Sequence, residues 1–431
     1  MFLKLFGSIA GTLAAYALYK IAGIAYQELS FPLRHLTGPK ANHKQLMRDM
    51  ANGAILQEQW IHQYGKTFKY PFFFGGVLVT EGDRHRRQRK IMNPAFGPTQ
   101  IKELTSIFLQ KSAEMRDIWL SQSTTDSMRV DVLSWLNKTT LDIIGLAGFD
   151  YTFNSLNSSQ PTELAAAFSA TTRATSALSL FDIIRAWPTK FTTMTGISQA
   201  TMQRIGREII GGSKAEMAEN GGVSNGTGTT WALFALSQNI PAQTRLRAEL
   251  LALDSDTPTM DQLNALPLNP PVVSTGAVAT QDDVIPLDTP WVDKNGILIQ
   301  RYRPVKKGQQ VIIPIMPMNR DKSIWGADAA EFIPERWDSS ISVPISNTIP
   351  GVWGQILTFL GGPRACIGYR FAIIEMKCLL FTLIRAFEFE LAVPVDDIGR
   401  KISVVQHPML KSEPEAGAQM PLVVKPYIVH A

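Results

Sequence analysis

The fold is decided by the stretch Phe359-Leu-Gly-Gly-Pro-Arg-Ala-Cys-Ile-Gly368, in which a lone cysteine ends a glycine- and proline-rich loop. The apolar run from Tyr369 to Ala386 follows directly, and its composition predicts a helix. The sulfur of Cys366 would then face a helix N-terminus, whose free N–H groups and dipole favour a thiolate. The sequence therefore predicts an anionic sulfur at the start of this helix.

The neighbours of Cys366 suit a flat, anionic ligand lying against the sulfur. Gly362 and Gly368 carry no Cβ and would let such a ligand approach the backbone closely. Arg364 can bind a carboxylate through two hydrogen bonds, and Phe359 can keep water from the sulfur. Each of these roles suits a protein that holds haem iron through a thiolate.

Five positions of this stretch also match a known family pattern. They are those of F-x-x-G-x-R-x-C-x-G, filled here by Phe359, Gly362, Arg364, Cys366 and Gly368. The chain therefore resembles the cytochrome P450 monooxygenases, in which this loop binds haem, and in particular their membrane-bound fungal members. The resemblance implies a mainly α fold with small β-sheets, haem b as cofactor and Cys366 as the iron ligand. It also implies electrons from NADPH-cytochrome P450 reductase, docked on a basic face, and oxidation of a lipophilic small molecule.

Two other interpretations of Cys366 explain less. A buried cysteine beside an ordinary glycine turn would not require the other four positions of the pattern. A cysteine nucleophile is suggested by Arg-Ala-Cys-Ile-Gly, which is close to the caspase pattern Q-A-C-[RQG]-G. However, Arg364 and Ile367 depart from that pattern, and the nearest upstream histidine, His85, lies far beyond the required spacing of about 50 residues.

Length and composition indicate one large globular domain. The 431 residues are 45% hydrophobic and 18% charged, and no Pro/Gly/Ser-rich linker divides them. The two cysteines, Cys366 and Cys378, are too few for a disulfide framework and lack CxxC metal spacing. This cysteine usage fits a domain that faces a reducing compartment.

The net charge is +5, and basic residues concentrate in one run, within residues 84–90. No aromatic interleaving or nucleic-acid motif accompanies this run, so we expect no nucleic acid as a partner. A basic face of this kind serves an anionic membrane or an acidic protein partner equally well.

The N-terminal residues 1–27 are apolar and contain only two charged side chains, both lysines. The clean run from Leu5 to Tyr19 is shorter than the roughly 20 residues of a spanning helix, but continuing it to Tyr26 reaches that length. A cleaved signal peptide is the alternative. The free thiols and the haem pattern favour retention, so we expect a membrane anchor at 1–30 and a catalytic domain at 31–431. By resemblance, the membrane is the endoplasmic reticulum and the catalytic domain faces the cytosol.

Two cationic side chains upstream form a second candidate part of the site. The first half of the run from Glu81 to Phe96 resembles the family's helix that binds the haem propionates through W-x-x-x-R, often with histidine at the aromatic position. His85 and Arg89 match the two positions. Cations one helical turn apart suit a pair of carboxylates, and a solvated basic helix face is the alternative.

The family's oxygen-activating box, [AG]-G-x-[DE]-T-T, is incomplete in this chain. The stretch from Trp231 to Asn239 resembles the end of the family's long helix that carries the box. Counted back from Trp231, the box would fall at Asn220 to Asn225, which contains no carboxylate. Aligned by its glycine, Asn225 to Thr230 keeps the threonines and loses the acid. Thr229 is therefore the candidate catalytic hydroxyl for proton delivery, with helix capping as the alternative.

A second family feature, the E-x-x-R pair beneath the haem, is also missing. The only Glu-x-x-Arg in the chain, Glu81 to Arg84, is in the wrong place, although Arg336 matches the third member of that network. Abrupt joins near Gly75, Asn225 and Asn269 predict a shortened variant or an imperfect gene model. The alternative function is accordingly a truncated, catalytically inactive haem-binding variant.

Overall fold

The structure is a computed structural model that describes residues 82–123, 127–157, 215–253, 275–287, 290–292, 298–299, 302–337, 349–402 and 405–428. The predicted anchor at 1–30 and the joins near residues 75 and 269 lie outside the described residues. No helix within the described ranges has the length and apolarity needed to cross a membrane. The described residues belong to two compact units, one of which contains residues 275–314 and the other the remainder.

Helices dominate the larger unit. In chain order they are α1 (Gly82–Met92), α2 (Pro98–Gln122), α3 (Val132–Phe149), α4 (Ala215–Gln238), α5 (Ile240–Leu251), α6 (Ile315–Asn319), α7 (Lys322–Trp325) and α8 (Tyr369–Ala386). Helix α8 has the bounds that the sequence predicted. The break between α4 and α5 is fixed by Asn239, whose side chain accepts a 3.0 Å hydrogen bond from the N–H of Ala242.

Helix α8 forms the buried centre of this unit. Its side chains from Phe371 to Ile384 are all buried, and several, including Cys378 and Leu383, are 0% exposed. Phe371 meets Phe108 of α2 edge to face at 4.8 Å between ring centroids. Helix α4 also packs closely, because a Cβ at Gly228 would lie only 2.9 Å from the sulfur of Met376. The helix that follows the cysteine loop is thus held between its neighbours.

The far end of α8 is anchored by polar side chains of α5. Arg247 is 3% exposed and donates 2.8 Å hydrogen bonds to the carbonyl oxygens of Ile384 and Phe387. The amide of Gln243 both accepts from the N–H of Phe389, at 2.9 Å, and donates to its carbonyl, at 3.0 Å. These bonds satisfy the backbone where α8 turns into the next strand.

Two small antiparallel sheets complete the larger unit. Strands β1 (Met128–Asp131), β11 (Pro421–Pro426) and β8 (Phe387–Leu391) pair in the order β1-β11-β8, with Val424 opposite both Met128 and Phe389. Strands β9 (Ile398–Ile402) and β10 (Gln406–Leu410) form a two-stranded ladder. The predicted class, mainly α with small β-sheets, is confirmed for the described residues.

The smaller unit contains short antiparallel pairs. They are β2 (Thr275–Val278) with β7 (Gln310–Ile313), β3 (Asp283–Pro286) with β6 (Tyr302–Val305), and β4 (Trp291–Val292) with β5 (Leu298–Ile299). Each of these strands has only two to four residues.

Candidate functional site

The cysteine loop closes on itself through backbone hydrogen bonds. The N–H of Cys366 donates to the carbonyl oxygen of Phe359 at 2.9 Å, and the N–H of Ala365 donates to that of Gly362 at 3.1 Å. Gly362 has a φ of +68°, a conformation that glycine adopts without steric cost, and no atom lies within 4 Å of a Cβ built there. Cys366 is exposed and stands three residues before the start of α8. The loop thus presents its sulfur at the helix start, as the sequence predicted.

A neighbouring turn packs against the loop at Gly361. This glycine was not singled out from the sequence. Gly361 packs so tightly that an added Cβ would overlap the carbonyl oxygen of Pro350. The N–H of Val352 donates to the carbonyl oxygen of Leu360 at 3.0 Å, and Leu360 itself has a φ of +58°. The Gly-Gly dipeptide signalled a tight turn, but sequence alone could not show which glycine faces a steric limit.

Asn319 holds the start of the same stretch. Its Oδ1 accepts a 2.8 Å hydrogen bond from the N–H of Leu357, and its Nδ2 donates to the hydroxyl of Thr358 at 3.2 Å. Asn319 ends α6, so this side chain ties that helix to the loop. The sequence gives no signal of this role for Asn319.

Aromatic side chains border the loop. Phe359 is half-buried and contacts Trp353 and Tyr369, each at 6.2 Å between ring centroids. On the other side, a Cβ at Gly368 would lie 3.6 Å from the ring of Phe96. The rings thus give the loop an apolar border, and the role of Phe359 in keeping water from the sulfur stays a prediction.

Helix α1 brings cations to the loop. Arg89 is half-buried and its guanidinium donates a 3.0 Å hydrogen bond to the carbonyl oxygen of Ala365. Loss of hydration lowers the pKa of His85, and the charges of Arg364 and Arg89 lower it further. His85, Arg89 and Arg364 are therefore brought to one electrostatic neighbourhood around the loop. Such a cluster can bind the two carboxylates of a propionate-bearing ligand.

The electrostatics of the sulfur combine opposing effects. Although the residue as a whole is exposed, loss of hydration around the sulfur raises the pKa of Cys366, while the N–H of Gly368 and the charge of Arg89 lower it by less. The predicted preference for an anionic sulfur is therefore outweighed, because the N–H of Gly368 offsets the loss of hydration only in part. A cation bound at the sulfur would replace the proton and keep the thiolate.

Helix α4, which packs against α8, carries the candidate residues for oxygen activation. Thr229 is 0% exposed and its hydroxyl donates a 3.0 Å hydrogen bond to the carbonyl oxygen of Asn225 within the same helix. It lies in the interior of α4, so it does not cap the helix. Thr227 contacts Nδ1 of His407 at 3.2 Å, which joins α4 to β10. The role of Thr229 in proton delivery stays a prediction.

Arg336, the one candidate member of the missing network, has local partners. It forms a 2.6 Å ion pair with Asp328 and donates to the carbonyl oxygens of Trp325 and Asp328. This arginine therefore stabilises the turn after α7 in the described structure.

The residues around Cys366 fit haem. The site offers one soft sulfur ligand, open space above Gly362 and three nearby cationic or titratable nitrogen groups suited to propionates. Aromatic rings supply the apolar border that a macrocycle requires. The residues that would hold haem are Phe359, Gly362, Arg364, Cys366, Gly368, His85 and Arg89.

The chain is similar to known proteins over most of its length. The family model described as Cytochrome P450 matches residues 40–219 and 221–411. Cytochrome P450 monooxygenase 128 of Postia placenta is 39% identical, with 97% of each chain covered, and monooxygenase 205 of the same fungus is 36% identical, with 96% covered. Cytochrome P450 monooxygenase claP of Ampulloclitocybe clavipes is 35% identical over 82% of this chain and 77% of that relative.

These alignments also bear on the predicted shortening. The first extends over 538 positions although this chain has 431 residues, so at least 107 positions lie opposite gaps in this chain. The relatives therefore contain internal segments that have no counterpart here.

Proposed function

Because this chain belongs to the cytochrome P450 family of haem-thiolate monooxygenases, we propose that it oxidises a lipophilic small molecule in fungal secondary metabolism. The observation that carries the proposal is the closed loop that presents Cys366 beside Arg89 and Gly368. The substrate class, for which a terpenoid is our example, rests on resemblance to fungal members of the family.

The residues of this chain divide the work around the cofactor. Haem, when bound, supplies the iron at which dioxygen is activated, with electron density donated by a thiolate. Cys366 would bind the iron, and the N–H of Gly368 would stabilise the charge on the sulfur. Arg89, Arg364 and His85 would bind the propionates, while Phe359 and its aromatic neighbours would limit the access of water. On the opposite helix, Thr229 is the proposed hydroxyl for proton delivery.

The electron donor we propose is NADPH-cytochrome P450 reductase. The exposed side chains of α1 include Arg86, Arg87 and Lys90, which lie on the same helix as the loop-contacting Arg89. An acidic protein surface would be attracted to these charges, and such attraction weakens at high salt. Electron transfer that slows as salt rises is the expected behaviour.

We also propose that residues 1–30 anchor the chain in the endoplasmic reticulum membrane, with the catalytic domain facing the cytosol. The apolar composition of residues 1–27 supports this proposal. Removing residues 1–30 should move the protein from the membrane fraction to the soluble fraction of a cell. A truncated chain that stays with the membranes would contradict the anchor.

One observation favours a second candidate, a truncated haem-binding protein without turnover. The chain has no E-x-x-R pair in the expected place, and Arg336 pairs with Asp328 within its own turn. An intact network of this kind stabilises the core beneath the haem in the family. The sequence gaps relative to full-length relatives point in the same direction.

A reconstitution experiment separates the two candidates. The purified, haem-loaded chain is combined with reductase, NADPH and a panel of lipophilic compounds, and products and NADPH consumption are measured. Oxygenated product that requires NADPH supports the monooxygenase. A red-shifted Soret band of the reduced carbon monoxide complex without any product would support the second candidate.

A further inference from the structure

A buried carboxyl group joins the helix that follows the cysteine to the helix opposite. Glu375 of α8 is 0% exposed, and its Oε2 accepts a hydrogen bond from Nδ2 of Asn225 on α4. Its second oxygen, Oε1, has no hydrogen-bond partner among the described residues. Asn225 is itself 6% exposed, so both partners lie inside the protein.

This contact lies where α4 and α8 approach each other closely. One turn further along α4, Gly228 leaves so little space that a Cβ would come within 2.9 Å of the sulfur of Met376. The hydroxyls of Thr229 and Thr230 donate to carbonyl oxygens of their own helix. The amide of Asn225, in contrast, reaches across to the other helix, so a change at this pair alters how the two helices meet.

The surroundings of Glu375 favour its neutral form. A buried carboxylate requires several donors, and Asn225 supplies one. Burial raises the pKa of Glu375 to about 8, and the bond from Asn225 lowers it only in part. The titratable neighbours on α8 are Lys377, whose pKa burial lowers to about 8, and Cys378, whose thiol pKa burial raises. The acid therefore keeps its proton near neutral pH.

We propose that Glu375 is a positioning residue that, as a neutral acid bonded to Asn225, fixes the register of α8 against α4. Helix α8 starts three residues after Cys366, and the N–H of Gly368 faces the sulfur. A displacement of α8 therefore displaces the loop and the sulfur with it. The proposal rests on the assignment of Cys366 as the haem ligand and extends that assignment to a residue nine positions away.

The variants Glu375→Gln, Glu375→Leu and Asn225→Ala test this proposal in the haem-loaded protein. Gln keeps a neutral acceptor for Asn225, so the fraction of the reduced carbon monoxide complex that shows the thiolate-type Soret band should equal that of the wild type. Leu and Ala remove the bond between the two helices, so a larger fraction of the complex should show the thiol-type Soret band. The matched control is Thr230→Val, which removes a buried hydroxyl that donates to the carbonyl oxygen of Gly226 within α4 and should leave the band unchanged.

An infrared measurement tests the protonation directly and does not depend on the folding of Glu375→Leu. The wild-type protein at neutral pH should show a carbonyl stretch of a buried protonated carboxyl group, which disappears in Glu375→Gln and shifts in Asn225→Ala. The proposal is overturned if this band is missing, or if Glu375→Gln loses the thiolate-type band as fully as Glu375→Leu. If the wild-type protein itself lacks the thiolate-type band, the haem assignment fails instead.

Discussion

The guanidinium of Arg89 donates a 3.0 Å hydrogen bond to the carbonyl oxygen of Ala365, the residue that precedes the candidate iron ligand Cys366. Through this bond, the basic helix α1 supports the loop as well as contributing charge to the site. The same arginine lowers the pKa of both Cys366 and His85. Arg89 thus affects both the backbone geometry of the loop and the pKa of its cysteine.

We predict that Arg89→Ala weakens haem retention by about 10–100-fold, the usual effect of removing a group that orients a metal ligand. Haem loss is measured by transfer to an acceptor protein. The control is Arg87→Ala, on the exposed face of the same helix, which should retain haem as the wild type does. Equal haem loss from both variants would mean that only the overall charge of α1 matters.

The turn beneath the loop provides a steric prediction. Gly361→Ala places a Cβ against the carbonyl oxygen of Pro350 and should lower the free energy of unfolding by about 1–3 kcal/mol or more. Gly361 has a φ of −144°, which alanine tolerates, so the cost is purely steric. The variant's stability is measured by denaturant unfolding of the haem-loaded protein.

Gly148→Ala is the matched control, since nothing lies within 4 Å of a Cβ built in that part of α3. It should be neutral or slightly stabilising, because alanine favours a helix by roughly 0.5–1 kcal/mol over glycine. If Gly361→Ala were as stable as Gly148→Ala, the close packing of the turn would be refuted.

Glu375 predicts a pH dependence of stability. Its pKa of about 8 in the folded protein lies above the ordinary value of 4.5, so unfolding releases a proton between these pH values. The stability that the neutral acid contributes is complete below about pH 4.5 and falls as pH rises toward 8, by at most about 1.4 kcal/mol per pH unit.

The checking measurement is the difference in unfolding free energy between the wild type and Glu375→Gln across this range. Contributions from other groups, including Lys377, cancel in that difference. A difference that stays constant from pH 4.5 to 8 would show that Glu375 titrates as an ordinary exposed carboxyl group.

The proposed role of Thr229 predicts how substitutions there change the fraction of NADPH electrons that reach product. If its hydroxyl delivers protons, Thr229→Val should lower the fraction of NADPH electrons that reach product and raise hydrogen peroxide formation, whereas Thr229→Ser should retain coupling. Thr230→Val is the control, because that hydroxyl is also buried and donates to the carbonyl oxygen of Gly226 in its own helix. If Thr229→Val transferred the same fraction of NADPH electrons to product as the wild type, the hydroxyl would have no role in proton delivery, and its bond to Asn225 would be structural.

The sequence predicted the parts of this protein that depend on local patterns. Helix α8 and the loop at Cys366 were predicted because an apolar run directly follows a dense pattern of fixed residue types. The partners of Gly361, Asn319 and Glu375 were not predicted, since each contact joins segments far apart in the chain. Distances between such segments depend on packing, which no spacing in a single sequence records.

The most direct test of the account is the reduced carbon monoxide spectrum of the purified protein and of its Cys366→Ser variant. The account predicts that the wild type binds haem and shows the red-shifted Soret band of a thiolate ligand, and that the serine variant loses this band. A wild-type protein without the band, or a serine variant with an unchanged spectrum, would contradict the claim that this sulfur binds the iron.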